Sequence, residues 1–361
     1  MNLAELTRVE LETALSDLGV PRFHGRQIFH WIQRRNVTDF AAMTNLPRPL
    51  RARLEAGFTA DGPTVVTRQT SADGTSKFLL GLIDGRRIES VFIPDTPAQT
   101  FCVSTQVGCA MACAFCLTGK MGLARHLSAG EIAGQARLLA HATGLVDTAF
   151  NIVLMGMGEP LHNYDATMKA LAILADEDGL GVHPRRVTLS TVGVLPALAR
   201  LAEEPLMPNL AISLHATTDA QRSAIVPINK RYDLEALLEA CRAFPVRKRS
   251  RITFEYVLLA GVNDDPADAR RLARLLGGIK AKVNLLPLNE AEGIPFTRPD
   301  DESVNTFARV LSERDVRVSV RKSRGRDIRA ACGQLLVEKS DVHGPAGADL
   351  DRPAPADEAH T

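Results

Sequence analysis

From Thr100 onward the chain alternates short β-rich runs with helical patterns, and this alternation limits the fold more than any other feature of the sequence. The runs 100–107, 150–156, 186–191, 209–214, 251–258 and 282–287 read as strands. Helical patterns near 128–142, 165–176, 195–202, 233–243, 266–277 and 300–312 separate them, and Ser128 with Glu131 forms a capping box. Repeated βα units set strands parallel and pack helices outside them. Six units are too few for a closed eight-stranded barrel. The pattern therefore predicts an α/β fold, a partial and open (β/α)6 barrel over 96–338, ended by a strand at Val316–Val320.

Ahead of the repeat, residues 1–60 read as a small helical domain. Leu3, Leu6, Val9, Leu11 and Leu15 sit near helical spacing until Gly19-Val20-Pro21 breaks it. A second helix covers Gly25–Arg35, and a third follows Pro47 and Pro49 through Leu54. Between Val20 and Arg53, arginines 22, 26, 34, 35, 48, 51 and 53 face a single acid, Asp39. Such a local excess suits phosphate contact, or simply a solvated face. Residues 61–95 read as a β-hairpin linker, with 76–82 and 87–93 flanking Asp84-Gly85. Residues 339–361 are rich in Pro, Ala, Gly and Asp, which predicts a disordered tail. Net charge is +1 over 361 residues, so any nucleic-acid signal must be local. No apolar run reaches membrane-spanning length and the N-terminus lacks a signal-peptide pattern, so the expectation is a cytoplasmic protein.

The first strand run leads into TQVGCAMACAFCLTGKM, which spaces Cys109, Cys113 and Cys116 as C-x3-C-x2-C. Thiolates this close can converge on one centre. Structural zinc takes four protein ligands in a closed site, and no fourth Cys or His follows closely. Three thiolates on a four-iron cluster instead leave one iron open to a substrate. The second strand run ends in Met155-Gly156-Met157-Gly158-Glu159-Pro160, where glycine admits a ligand to the backbone and Glu159 offers an acceptor for an ammonium group. Ser190, Ser213-Leu214-His215 and Asn289 close later runs at the same end. Hydroxyl, imidazole and amide groups on that rim suit a nucleoside. In α/β barrels this is the end where loops assemble active sites.

The cysteine spacing, with Phe115 before Cys116, resembles the radical S-adenosylmethionine (SAM) signature. The resemblance implies a [4Fe-4S] cluster on Cys109, Cys113 and Cys116, with SAM chelated at the open iron. GMGEP is similar to that family's Gly-Gly-Glu motif, which implies that Gly158 and Glu159 hold the SAM amino group. It implies further SAM contacts at Ser190, Ser213, Leu214, His215 and Asn289. GRQIFHWI, GMGEPL, SLHA and the ACGQL ending together resemble the dual-specificity rRNA and tRNA adenine-C2 methyltransferases of the RlmN type, over residues 3 to about 338.

That resemblance implies methylation of C2 of an adenine in the peptidyl transferase centre of 23S rRNA and of one beside the tRNA anticodon, with two SAM molecules per turnover. Adenine C2 is a poor nucleophile, whereas a thiolate is a good one. Cys332 is thus implied to take a methyl group, which a SAM-derived radical activates for addition to C2. Glu89 is implied to remove the C2 proton. Cys102 then releases the product by forming a disulfide with Cys332. A donor such as flavodoxin or ferredoxin would supply electrons. Arg242, Arg247, Lys248, Arg249 and Arg251 are expected to grip RNA around the site with the N-terminal helices. Three other readings stay open: methylation at C8 by the related antibiotic-resistance enzyme, a radical SAM activase or sulfur-inserting enzyme, and an RNA-binding protein with a structural metal. Mobility of the Cys332 segment is also expected.

Overall fold

The computed structural model describes residues 1–94 and 98–337; the expected tail at 339–361 lies outside the described residues. Three helices open the chain, α1 Arg8–Ser16, α2 Arg22–Gln33 and α3 Arg48–Gly57. The single first helix expected from Leu3 onward is instead a 3-10 turn at Leu3–Glu5 followed by α1. Thr7 starts the new helix, because its side chain accepts from Glu10 N while Glu10 reaches back to the Thr7 N–H.

An antiparallel trio follows, β1 Thr64–Thr70, β2 Ser76–Gly81 and β3 Arg87–Ile93. These strands are part of the main sheet, since β3 pairs with β4 Thr100–Cys102, setting Val91 opposite Cys102. Beyond β4 come β5 Gln106–Gly108, α4 Leu117–Lys120, β6 Leu123–His126 and α5 Ala129–Ala142. The repeat continues as β7 Asn151–Leu154, α6 Tyr164–Ala175, β8 Val187–Thr191, α7 Leu195–Leu201 and β9 Asn209–Ser213. It ends with α8 Asp219–Ile225, α9 Leu234–Ala243, β10 Ile252–Leu258, α10 Pro266–Leu275, β11 Ala281–Pro287, α11 Asp301–Ser312 and β12 Val318–Val320.

The sheet runs β1-β2-β3-β4-β7-β8-β9-β10-β11-β12 and is parallel from β4 onward, an open barrel as the repeat predicts. The strand expected over 100–107 is divided. At Ser104 the Gln135 side chain takes the place of a neighbouring strand, accepting from Ser104 N at 2.7 Å and donating to Ser104 O at 2.9 Å. The backbone therefore leaves the sheet with its polar groups satisfied. It re-forms as an antiparallel ribbon, β5 with β6, that carries the cysteine loop.

Phe101, Leu189, Ile212 and Phe254 on the strands and Phe307 on α11 are almost completely buried in the core. Each such side chain contributes roughly 1.5–3 kcal/mol. The N-terminal helices dock on α5 and α6. Glu5 accepts from Gly130 N and Ser128 Oγ, both at 2.6 Å, and buried Arg137 donates to Gln33 and Asn36, both at 2.8 Å.

Candidate active site

Gly108 opens the cysteine loop at φ +77, and a Cβ there would lie 1.9 Å from Gly122 O. Only glycine lets the two ribbon strands approach so closely. Cys109, Cys113 and Cys116 then line one wall of a cavity of about 170 Å³ at the C-terminal ends of the parallel strands. Burial pushes the Cys109 thiol up to about 12 and raises Cys113 and Cys116 as well. Thiols so placed stay protonated unless a cation holds them as thiolates. Among the described residues no three His, Cys, Asp or Glu side chains close around a single ion. Three thiols on one cavity wall suit a cluster that keeps one position for a further ligand, whereas a structural zinc site takes four protein ligands.

Opposite the cysteines, Gly158 and Glu159 lie on the loop after β7. Glu159 is buried, and its carboxylate accepts from Leu161 N at 3.0 Å and Val192 N at 2.9 Å. Burial nevertheless pushes it up to about 7. Ser190 and Ser213 point into the same cavity from adjacent strands, their hydroxyls 3.3 Å apart. His215 adopts φ +62, stacks edge-on against Phe115, and accepts from Val257 N through Nδ1 at 3.0 Å. Burial and Arg222 hold the imidazole down to about 3, so it is neutral. Asn289 donates to Cys332 O at 3.3 Å, while its buried Oδ1 has no partner. An orphaned acceptor facing a cavity is costly and fits a ligand donor placed there. Leu214 differs from the sequence expectation: its side chain is fully buried in the core and only its neighbours Ser213 and His215 line the cavity.

Cys332 is the one expected carrier thiol that is exposed. It lines both this cavity and a smaller one, about 40 Å³, that also holds Cys102. Both sulfurs are free thiols here. Burial pushes Cys102 up to about 12, with the nearby Cys332 adding to the effect. The Cys332 segment is docked on the loops it must serve. Leu117 N donates to Gly333 O at 2.9 Å and Thr118 Oγ1 to Leu335 O at 2.7 Å. Glu89 is buried on β3, ion-paired with Lys77 at 2.8 Å, and accepts from Leu336 N at 2.8 Å. It braces the stretch after Cys332 and is not among the residues lining either cavity.

The basic run Arg321, Lys322, Arg324, Arg326 and Arg329 suggests from sequence a positive setting for Cys332, and Arg321 supplies it; two further groups, Glu255 and Arg222, were missed by sequence reasoning. Arg321 lines both cavities and carries its charge beside Cys332, Cys102 and Glu255. Glu255, a lone acid in the apolar run ITFEYVL, turns into the barrel and accepts from Asn284 at 2.9 Å. Its isolation in that run was the available signal. Arg222 is fully buried and donates to Leu214 O, Val192 O, Ser213 O and Asn229 Oδ1, tying together the loops after β8 and β9. Replacing Arg222 by Met strands several buried acceptors, and the expected loss is roughly 3 kcal/mol or more. Chemical denaturation would read it.

Two basic groups fall elsewhere than expected. Residues 247–251 precede β10, so they lie at the end of the barrel away from the cysteines, whereas Val257 at the far end of the same strand lines the site. In the N-terminal region Arg26 pairs with Asp178 at 2.7 Å and Arg34 with Asp147 at 2.6 Å. Arg51 and Arg53 bond Ala41 O and Leu18 O, and Arg35 covers Trp31. Much of that arginine excess thus holds the protein together.

Residues 103–273 match the radical SAM superfamily, and residues 1–59 match the ribosomal RNA large subunit methyltransferase N-terminal domain. A dual-specificity RNA methyltransferase RlmN from Anaeromyxobacter dehalogenans is 49% identical over 93% of this chain and 92% of its own length. The chain belongs to the RlmN family. An RlmN protein from Syntrophobacter fumaroxidans shares 45% identity over 92% of this chain and 97% of its own. A radical SAM methyltransferase from Sphaerobacter thermophilus has the same fold, with 48% identity, TM-score 0.89, and coverage of 93% of this chain and 99% of that one. No helix among the described residues is long and apolar enough to cross a membrane.

Proposed function

We propose that this chain methylates C2 of an adenine in 23S rRNA and in tRNA, carrying the one-carbon unit on Cys332. The observation that carries the reading is the place of Cys332, exposed at the junction of the cysteine-loop cavity and the Cys102 cavity. Cys109, Cys113 and Cys116 would hold a [4Fe-4S] cluster, and Gly158, Glu159, Ser190, Ser213, His215 and Asn289 would hold SAM. Bound there, these groups supply a methyl group and a radical.

The chain's own side chains supply the rest. Cys332 presents its sulfur to either cavity without a change of fold. Arg321 sets a positive charge beside it. Cys102 waits as a protonated, water-excluded thiol, which protects it until a covalent RNA adduct reaches it. Once deprotonated, Cys102 attacks the Cys332 sulfur and breaks its bond to the one-carbon unit; the electron pair goes to that carbon, which takes up a proton to become the methyl group on the released RNA, and a disulfide is left between the two residues. The base that takes the C2 proton in our reading is Glu89, which must part from Leu336 N to reach the substrate. Reduction comes from a flavodoxin- or ferredoxin-type donor, in the cytoplasm.

The testing experiment is anaerobic turnover of an rRNA fragment by the Cys102→Ala variant. We expect a covalent protein–RNA adduct that denaturing gels and mass spectrometry detect. Free methylated RNA as the only product would remove the assigned role of Cys102. Nucleoside analysis of wild-type product should give 2-methyladenosine; 8-methyladenosine alone would move the chain to the C8 reading.

A further inference from the structure

At the opposite end of the barrel from the cysteines, the first residues of β8 to β12 surround a second recess of about 450 Å³. Its lining includes Arg249, Arg251, Lys282 and Arg317, together with Asn209 and Ser319, and contains no carboxylate. Among the described residues none of the four cations forms an ion pair. Arg247 adds to the crowding at the rim, donating to Asn209 Oδ1 at 2.8 Å, with Arg185 close enough to repel it. The recess shares no lining residue with the active-site cavity, although on β10 Thr253 lines the one and Glu255, about 7 Å further along the strand at the usual rise per residue, lines the other.

Among the described residues Arg249, Arg251, Lys282 and Arg317 form no ion pair, although Lys282 feels the buried Glu255 carboxyl; like charges so gathered repel one another, and an anion offsets that repulsion. We propose that this recess is a binding site for a compact oligophosphate, the chemistry shared by inorganic polyphosphates and nucleoside triphosphates. The volume lies within the range of small-ligand pockets. Arginine forks and the Lys282 ammonium supply charge-assisted donors, while the Ser319 hydroxyl donates to Asn284 and the Asn209 amide to Arg185 O. The recess is concave and takes several charges at one point. An RNA backbone spreads single charges along a convex surface, so the shape favours the compact ligand.

The test is calorimetric titration of inorganic tripolyphosphate into the full, cluster-loaded chain, with and without SAM. We expect one saturable site that SAM does not displace. Lys282→Gln combined with Arg317→Gln should weaken it about tenfold or more, Lys282→Arg should keep it, and Arg270→Gln on α10 should leave it unchanged. Thermal melting of each variant establishes that it is folded. Should the double variant not fold, Arg251→Gln replaces it with the same expectation. The proposal is overturned if tripolyphosphate shows no saturable binding, or if it binds the charge-removed variants as tightly as the wild type. It is equally overturned if only an RNA fragment senses those substitutions.

Discussion

Cys332→Ala should abolish RNA methylation, lowering turnover on the order of 10⁴-fold or more, as loss of a covalent nucleophile does elsewhere. The side chain is exposed and its neighbours are held by bonds from the Leu117 N–H and the Thr118 hydroxyl, so the variant should fold and melt like the parent. Cys109, Cys113 and Cys116 are untouched, so SAM binding and iron content should persist. That combination separates a carrier from a structural residue. Mass spectrometry of iron-loaded wild-type protein should find a methyl group on Cys332, and the alanine variant should carry none. Undiminished methylation by the variant would refute the carrier role.

Gly158→Ala should cost most of the SAM affinity, about 100-fold or more. The backbone there sits at φ +106, and an added Cβ would lie 2.6 Å from Gln106 Cβ and 2.8 Å from Gln106 N. Strain at such a φ costs about 1–3 kcal/mol, and overlap in a packed site a similar amount. Gln106 cannot yield easily, since its Oε1 accepts from Glu159 N at 2.9 Å. Relief therefore comes by moving Glu159 itself. Equilibrium dialysis with SAM reads the loss. Gly144→Ala is the control: it has φ +69 with nothing within 4 Å of the added carbon. That variant should lose a little stability and no affinity. Equal SAM binding by Gly158→Ala and the parent would remove this loop from the cofactor site.

Much of this protein was legible before any fold was known. The Ser128–Glu131 capping box, the strand runs from 186 to 287 and the Asp84-Gly85 turn all rest on interactions within a few residues. Such interactions leave a local trace in the chain. The division of the strand at Ser104 left none, because it depends on Gln135, 31 residues away. Leu214 was misjudged because it lies between two cavity residues, and alternation along an extended segment turns it into the core. The basic run at 247–251 was placed at the wrong end because charge can be read from composition but barrel end depends on strand direction.

The sequence by itself determined the repeat, the cysteine loop and the glycine turns, since period, spacing and φ preference act over a few residues. Only the tertiary structure decided that Cys102 and Cys332, 230 positions apart, open onto one cavity with Arg321 between them and Glu255. That juxtaposition depends on sheet order. The β3–β4–β7 pairing places Cys102 at the C-terminal end of an interior strand, and the chain after β12 brings the Cys332 segment to the same cavity. No local preference encodes it, because the free energy that selects it comes from burial and pairing between distant strands.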